Sequence, residues 1–437
     1  MCQPARVSQQ CSLLRDAVSR LNPSVFCATP GDFSRSGALS PEVLLALLLF
    51  QSADAGRRGY QGILEGFWED ARTQGVALPC AAPVSAAAYC QARAKLPAEA
   101  VRAVLHRVCD SFDVTHGDRF RWKGRRLLAA DGTGLALQRS EALIAHFGAQ
   151  RGAHHPTTHL VTLYDVLAGI PLDVAVAAHQ EHDSTLLPDV LGRARAGDVL
   201  ILDRGFPGYD LLAWLLSEQI DFVVRLPVKR WLCGKRFVES GARDGTVTLN
   251  PTPFSELKDG GPITLRAVRI ETPGGEPCVV LTSLSEATAS TAEVAALYRM
   301  RWQVEEHYKA IQSHHFGQRT FHSRAPDGVA QEIYAQALLL AVSRHLAASA
   351  AERTGVPIEE IQAKAALFAA AACITRLALA SMDPAELVRV LERIARARQP
   401  KRPGRSFPRR SFQRQSAWGP YGKRRTAKRG DSPKPLA

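Results

Sequence analysis

Three acidic side chains stand where carboxylates can work together. Asp131 closes an apolar run in "LLAADGTG", Asp203 closes another in "VLILDRGF", and Glu305 lies in "YRMRWQVEEHYKAIQ", residues 298–312. An apolar strand that stops on an acid places a carboxylate at the carboxyl edge of a sheet, where sites gather in open α/β folds. A single strand-terminal Asp is more often a turn residue or a helix cap. Two such acids and an acidic helix make a stronger pattern, carboxylate chemistry gathered at one sheet edge.

The helix carries two adjacent glutamates, and periodicity separates them. At about 100° per residue from Tyr298, Arg301 falls near 300°, Glu305 near 340°, Gln312 near 320°, Lys309 near 20° and Trp302 near 40°. Glu305 therefore shares a face with Tyr298 and Arg301. Met300, Val304, Tyr308 and Ile311 form the core-facing stripe, while Glu306 and His307 point elsewhere. Read alone, Glu305 is an ordinary i, i+4 partner of Arg301 or Lys309 on a solvated helix. The two aspartates shift the balance toward Glu305 as the acid that does chemistry.

The elements that must position these acids are legible in outline. Residues 1–118 read as an all-helical N-terminal unit, with Ser40 as N-cap and Pro41 at the first helical position of "SPEVLLALLLFQSA". From 119 the pattern becomes strand, strand, strand, helix, strand, helix, strand, with strands at 126–131, 158–166, 171–178, 198–203 and 221–226, an α/β core with a mixed sheet. Residues 226–286 then read as an inserted β-rich subdomain. A helix opens with Ser290 and Glu293 at capping-box spacing and runs to about Gln312. The catalytic core is expected to span 119–325, with helical segments over 326–398 and a basic tail over 399–437.

Composition bounds the class. The chain has 437 residues, 46% hydrophobic and 22% charged, so two or three packed units are expected. The net charge of +13 is concentrated: residues 393–437 carry +14 and the remainder −1. That tail mixes Arg and Lys with Pro, Gly, Phe, Trp and Tyr, a composition expected to be disordered alone and suited to phosphate contact with base stacking. Nine scattered cysteines without C-x-x-C spacing argue against a disulfide framework or a zinc ribbon. The doublets His154, His155 and His314, His315 lack partners at zinc-ligand spacing and read as loop or DNA-facing residues. His182 and Asp183 read as a helix cap or as support for the site. The apolar runs are about half the roughly 20 residues needed to span a bilayer. The opening "MCQPARVSQQCSLL" lacks a signal-peptide pattern, so a cytoplasmic location is expected.

Strand-end Asp, strand-end Asp and a helical Glu after a β insertion resemble the DDE transposases of bacterial insertion sequences. Tyr298, Arg301 and Glu305 match the Y, R and E of the Y-R-E-K signature of the insertion sequence 4 group, with Gln312 at the lysine position and Lys309 one turn earlier on the same face. "ADGTGLAL", "HDSTLLPDVL" and "LILDRGFPGYDLL" extend the resemblance over about 125–315. It implies a ribonuclease H-like core in which Asp131, Asp203 and Glu305 form a catalytic and metal-binding triad for two Mg²⁺ ions, with Mn²⁺ as a substitute. Hard dications take oxygen ligands, and two of them can activate a nucleophile and stabilise a leaving oxygen in phosphodiester cleavage. The implied activity is cut-and-paste transposition on double-stranded DNA, by a dimer joining two element ends in a nucleoid-associated bacterial protein. Tyr298, Arg301 and Lys309 are then DNA-phosphate contacts. Trp231 is either a base-stacking residue or a half-buried packing residue. The competing expectations are a catalytically inactive, co-opted transposase that only binds DNA, favoured by Gln312, and a nuclease on the same core that cuts without joining.

Overall fold

The structure, a computed structural model, describes residues 10–399 apart from 36, 55–58, 151, 254, 258, 271–277 and 310–320. The basic tail, Gln312 and the His314, His315 doublet lie outside the described residues.

Its centre is an eight-stranded mixed sheet. The strands are β1 (Leu127–Ala136), β2 (Thr157–Asp165), β3 (Ile170–Ala178), β4 (Val199–Leu202), β5 (Asp221–Arg225), β6 (Asp244–Leu249), β7 (Ile263–Ile270) and β8 (Cys278–Thr282). Their spatial order is β3-β2-β1-β4-β5-β8-β7-β6. β2 pairs antiparallel with both β1 and β3, while β4 and β5 continue from β1 in parallel. The stretch 226–286 does not form a sheet of its own. β8 pairs antiparallel with β5 and carries β7 and β6 outward, so these strands widen the same sheet.

One difference from the sequence expectation concerns β1. The run "DGTG" reads as a turn that ends a strand at Asp131, yet β1 continues to Ala136 because β2 pairs with it out to Ala136↔Thr157. Pairing to β4 stops at Ala129↔Ile201. Asp131 thus stands within a strand, where one neighbour has just been lost. Cross-strand bonding overrides the local turn preference of the glycines.

Side-chain alternation divides the core between the two faces. Leu128, Ala130, Leu200 and Leu202 face the larger apolar cluster, and Leu127, Ala129, Val199 and Ile201 face the smaller one. The larger cluster is helical. It unites Leu14, Leu44 and Leu105 of the N-terminal helices with Leu338 and Leu391 of the C-terminal ones. The N-terminal helices are α1 (Leu13–Ser19), α2 (Pro41–Ala53), α3 (Tyr60–Thr73), α4 (Ala86–Arg93) and α5 (Ala98–His116). The sheet connections include α6 (Glu141–Phe147), α7 (Asp183–Leu191), α8 (Tyr209–Ser217) and α9 (Leu232–Glu239). The smaller face is covered by α10 (Thr291–Met300) and α11 (Trp302–Lys309). The chain then continues through α12 (Pro326–Thr354), α13 (Ala363–Ala372), α14 (Ile374–Leu379) and α15 (Pro384–Arg396). Two helix starts match their sequence signals: Ser40 accepts from the Val43 N–H with Pro41 at the first position, and Ser290 with Glu293 forms a reciprocal capping box. Among the described residues no helix is long and apolar enough to cross a membrane.

A buried acid in this core gives a pH-dependent stability. Asp165, at the end of β2, is 3% exposed; its Oδ1 accepts from the Ala168 N–H at 3.0 Å, and Arg121 Nη1 stands 3.8 Å from Oδ2. Burial pushes the carboxyl up to about 6, against the Ala168 N–H and Arg121. Between its ordinary value of 3.8 and about 6, the folded chain holds a proton that the unfolded chain releases. Stability from this group is therefore full at low pH and lost as pH rises through about 6. Asp165→Asn, which keeps the acceptor, is expected to raise the melting temperature at neutral pH and leave it unchanged at the acid end. Circular dichroism melts at the two pH values check this.

Candidate active site

Strand register brings the acids together. β1 and β4 pair in parallel at Leu127↔Val199, Leu128↔Leu200 and Ala129↔Ile201, and two steps further along each chain stand Asp131 and Asp203. By alternation both carboxylates project to the face of Ala129 and Ile201, the face that α10 and α11 cover. β5 extends the argument. It pairs in parallel with β4 up to Leu202↔Val224, so Arg225 is the next residue opposite Asp203. Its Nη1 lies 3.9 Å from Asp203 Oδ1. The signal was present in the sequence: "DFVVRL" is another apolar run closed by a charge.

The helical segment over this edge is two helices. The expectation of one helix from 290 to 312 is corrected at Arg301, where α10 ends before α11 begins at Trp302. At the joint the Arg301 N–H bonds to the Tyr298 carbonyl, and the Val304 N–H to the Arg301 carbonyl, both at 3.1 Å. Helical spacing survives the joint well enough to keep the predicted faces. Val304 and Tyr308 are buried in the smaller cluster, with Met300 packed against it.

Each of the three acids has a partner from the chain. The Tyr298 hydroxyl donates to Asp203 Oδ1 at 3.0 Å. Arg301 reaches both others, with Nη1 donating to Asp131 Oδ2 at 3.1 Å and Nη2 to Glu305 Oε1 at 2.7 Å. The ordinary i, i+4 pair that spacing allowed for Glu305 is therefore real, and it is joined through one guanidinium to an acid 170 positions away in the chain. Glu306 is not part of this group. Its Oε1 accepts from the Trp302 indole N–H at 3.0 Å, and Trp302 is 42% exposed.

The electrostatics follow from partial burial. Burial pushes the Asp131 carboxyl up to about 6; Arg301 and the Gly132 N–H, 3.0 Å from Oδ1, pull it down, while Glu305 and Asp183 push it up. For Arg301, burial acts against the charged form, but Asp203, Glu305 and Asp131 outweigh it and raise the group above its ordinary value. The Tyr298 phenol is also raised, by burial and then by Asp203.

Two contacts support the site, and of these only that of Tyr308 escaped the sequence reading. Tyr308, which periodicity places only in the core stripe, receives the Thr162 N–H at 3.0 Å and donates to the Asp131 carbonyl oxygen, tying α11 to β1 and β2. Asp183 heads α7, with its Oδ1 2.6 Å from His159 Nε2. It sits against Gly132, where an added Cβ would lie 1.8 Å from Asp183 Oδ1. His182 occupies the N-cap position of α7 without a side-chain cap bond. Tyr308→Phe leaves the Thr162 N–H and the Asp131 carbonyl without their phenol partner. It is expected to cost about 1–3 kcal/mol, the scale of an unsatisfied buried group, read as a lowered urea midpoint.

Of the other expected site residues, Trp231 separates from this group. Trp231 is the N-cap of α9, half-buried and packed against the larger apolar cluster. The Lys309 side chain and Gln312 lie outside the described residues. His154 and His155 pack ring to ring, 4.9 Å between centroids. Among the described residues, no three or more His, Cys, Asp or Glu side chains form a group able to hold a metal ion.

A mixed sheet whose parallel strands deliver acids to one edge, under two successive helices whose stretch 298–305 supplies Tyr, Arg and Glu, defines an acid-centred α/β protein. The family described as Transposase DDE domain matches residues 122–342, just over half of the chain and all three acids, and the chain belongs to that family. Among solved structures, the cryo-EM structure of the piggyBac transposase synaptic complex with hairpin DNA is similar over 92% of this chain and 87% of that one, at 12% identity and a TM-score of 0.43. No curated protein matches the chain.

Proposed function

We propose that this chain is a transposase of the insertion sequence 4 group, catalysing cut-and-paste transposition by metal-dependent phosphodiester cleavage and strand transfer at element ends. One observation carries the reading: Asp131 and Asp203 follow paired parallel strands onto one face, and Arg301 joins Asp131 to Glu305 there. The order β3-β2-β1-β4-β5, with the first three strands antiparallel and the last two parallel to β1, supports a ribonuclease H-like core. Tyr298, Arg301 and Glu305 supply the Y, R and E of the signature.

The donor set suits a hard dication. It offers carboxylate oxygens alone, and a cation already stands between two of them in the form of the Arg301 guanidinium. Asp131, Asp203 and Glu305 would hold Mg²⁺, or Mn²⁺ in its place. Bound there, the metal supplies activation of a water or 3′-hydroxyl and stabilisation of the leaving oxygen. The chain's own residues do the rest. Arg301 offers a planar fork matched to phosphate oxygens, Tyr298 adds a hydroxyl donor, and Tyr308 fixes the strand that carries Asp131. Double-stranded element ends and target DNA are the substrates, a dimer joins two ends, and the basic tail adds phosphate contacts.

A second reading, a chain that binds ends without cutting them, is favoured by Gln312, which stands where the signature has lysine. One experiment separates the two. Purified chain is mixed with duplex carrying the element ends native to its gene, in Mg²⁺ or in EDTA. Metal-dependent nicking at the element boundary supports the enzyme, whereas a clear mobility shift without nicking in Mg²⁺ or Mn²⁺ supports the binder.

A further inference from the structure

Arg301 occupies the position that a cofactor cation would have to share. Its two terminal nitrogens are spent on Asp131 and Glu305, while Tyr298 and Arg225 stand against Asp203. All three acids are thus engaged by the chain itself. A dication approaching Asp131 and Glu305 meets a guanidinium already bonded to both, and like charges at that spacing repel.

The same guanidinium is suited to a second partner. It is 13% exposed, its planar fork matches a phosphate as well as a carboxylate, and it sits at the joint between α10 and α11. A phosphodiester brought to the three acids must approach this group. Its negative charge can take over the role that Asp131 and Glu305 play in the DNA-free chain.

We infer that Arg301 is an exchangeable counterion: it blocks divalent-metal binding at Asp131 and Glu305 until a DNA phosphate draws it away, so metal loading is coupled to DNA engagement. This rests on the transposase reading above and adds an order of events to it. The DNA-free chain is held short of a competent metal site, and contact with DNA releases it.

The test measures Mn²⁺ binding by electron paramagnetic resonance on the full chain, with and without a duplex carrying the native element end. The proteins are wild type, Arg301→Met, which keeps the side-chain length without the charge, and Arg301→Lys. Without DNA, Arg301→Met is expected to bind Mn²⁺ roughly tenfold or more tightly than wild type, within the usual range of coupling between sites. Arg301→Lys, still charged, stays near wild type. End DNA should bring wild type up to the affinity of Arg301→Met and shift the variant little. By reciprocity, Mn²⁺ should tighten DNA binding by wild type by the same factor in fluorescence anisotropy. This last measurement uses unaltered protein, so it stands if the variants fail to fold.

Equal Mn²⁺ affinity of wild type and Arg301→Met without DNA, or a wild-type DNA affinity indifferent to Mn²⁺, would overturn the inference. If wild type still nicks element ends in metal, that result leaves the transposase reading intact. Failure of all three proteins to bind Mn²⁺ with DNA present would remove both.

Discussion

Asp203→Ala and Glu305→Ala are each expected to abolish element excision while the protein stays folded, and Glu306→Ala is expected to excise normally. The expected loss is on the order of 10³-fold or more, at least the scale on which removing one charge-stabilising group acts. Asp203 lies just past the last residue of β4 and is partly exposed, so its removal opens no core cavity. What it removes is the acceptor of the Tyr298 hydroxyl and the charge opposite Arg225. Glu305→Ala frees one arm of Arg301 and takes away the helical carboxylate. Glu306 is the internal control, one residue along the same helix and bonded to Trp302. The measurement is excision of a marked element flanked by its native ends, with thermal melts at matched protein levels. Normal excision by Glu305→Ala, with or without loss in Glu306→Ala, would rule out Glu305 as the acid of the pair that does the chemistry.

The second large effect concerns stability. Glu332→Ala is expected to cost about 3–5 kcal/mol, because it leaves a buried arginine without its counterion. Arg93 is 4% exposed and Glu332 likewise. The Arg93 guanidinium donates to Gln331 Oε1 at 2.9 Å, to the Tyr60 hydroxyl and Glu332 Oε1 at 3.0 Å, and to the Gly328 carbonyl at 2.7 Å. Glu332 in turn accepts the backbone N–H groups of His322 and Ser323, at 2.9 and 3.0 Å. One ion pair therefore joins α3 and α4 to the start of α12 and to the chain that enters it. Urea unfolding read by tryptophan fluorescence measures the loss. An Arg93→Met, Glu332→Met double variant should recover the part of the loss that comes from the uncompensated charge, while the His322 and Ser323 N–H groups remain without their acceptor.

This network bears on any attempt to isolate the N-terminal helices. They share one apolar cluster with α12 and α15 and are tied to α12 by a desolvated ion pair. Deleting residues 1–118 would uncover that cluster. Lost DNA binding in such a truncation would report unfolding, so point substitutions on exposed helix faces are the sounder probe of whether these helices touch element ends.

Much of the site could be read directly from residue spacing. The acids at 131 and 203 follow apolar runs of strand character, the capping box at Ser290 starts the overlying helix where expected, and periodicity alone separates Glu305 from Glu306. These are local relations, fixed by backbone geometry over a few residues, and so they are carried by the order of residues. The charge that closes β5 at Arg225 carried the same kind of signal.

The long-range pairings come from the fold. Arg301 pairs with Asp131, and Tyr298 with Asp203, across separations of 170 and 95 residues. No local rule chooses such partners, because they depend on the register of β1 against β4 and on how α10 and α11 lie across it. The continuation of β1 past "DGTG" and the merging of 226–286 into the central sheet have the same origin. Cross-strand hydrogen bonds and shared burial outweighed the turn preference of the intervening residues. Residue order alone marks Asp131, Asp203 and Glu305 and the helix face that Glu305 shares with Arg301. The folded chain determined which of those side chains hold one another.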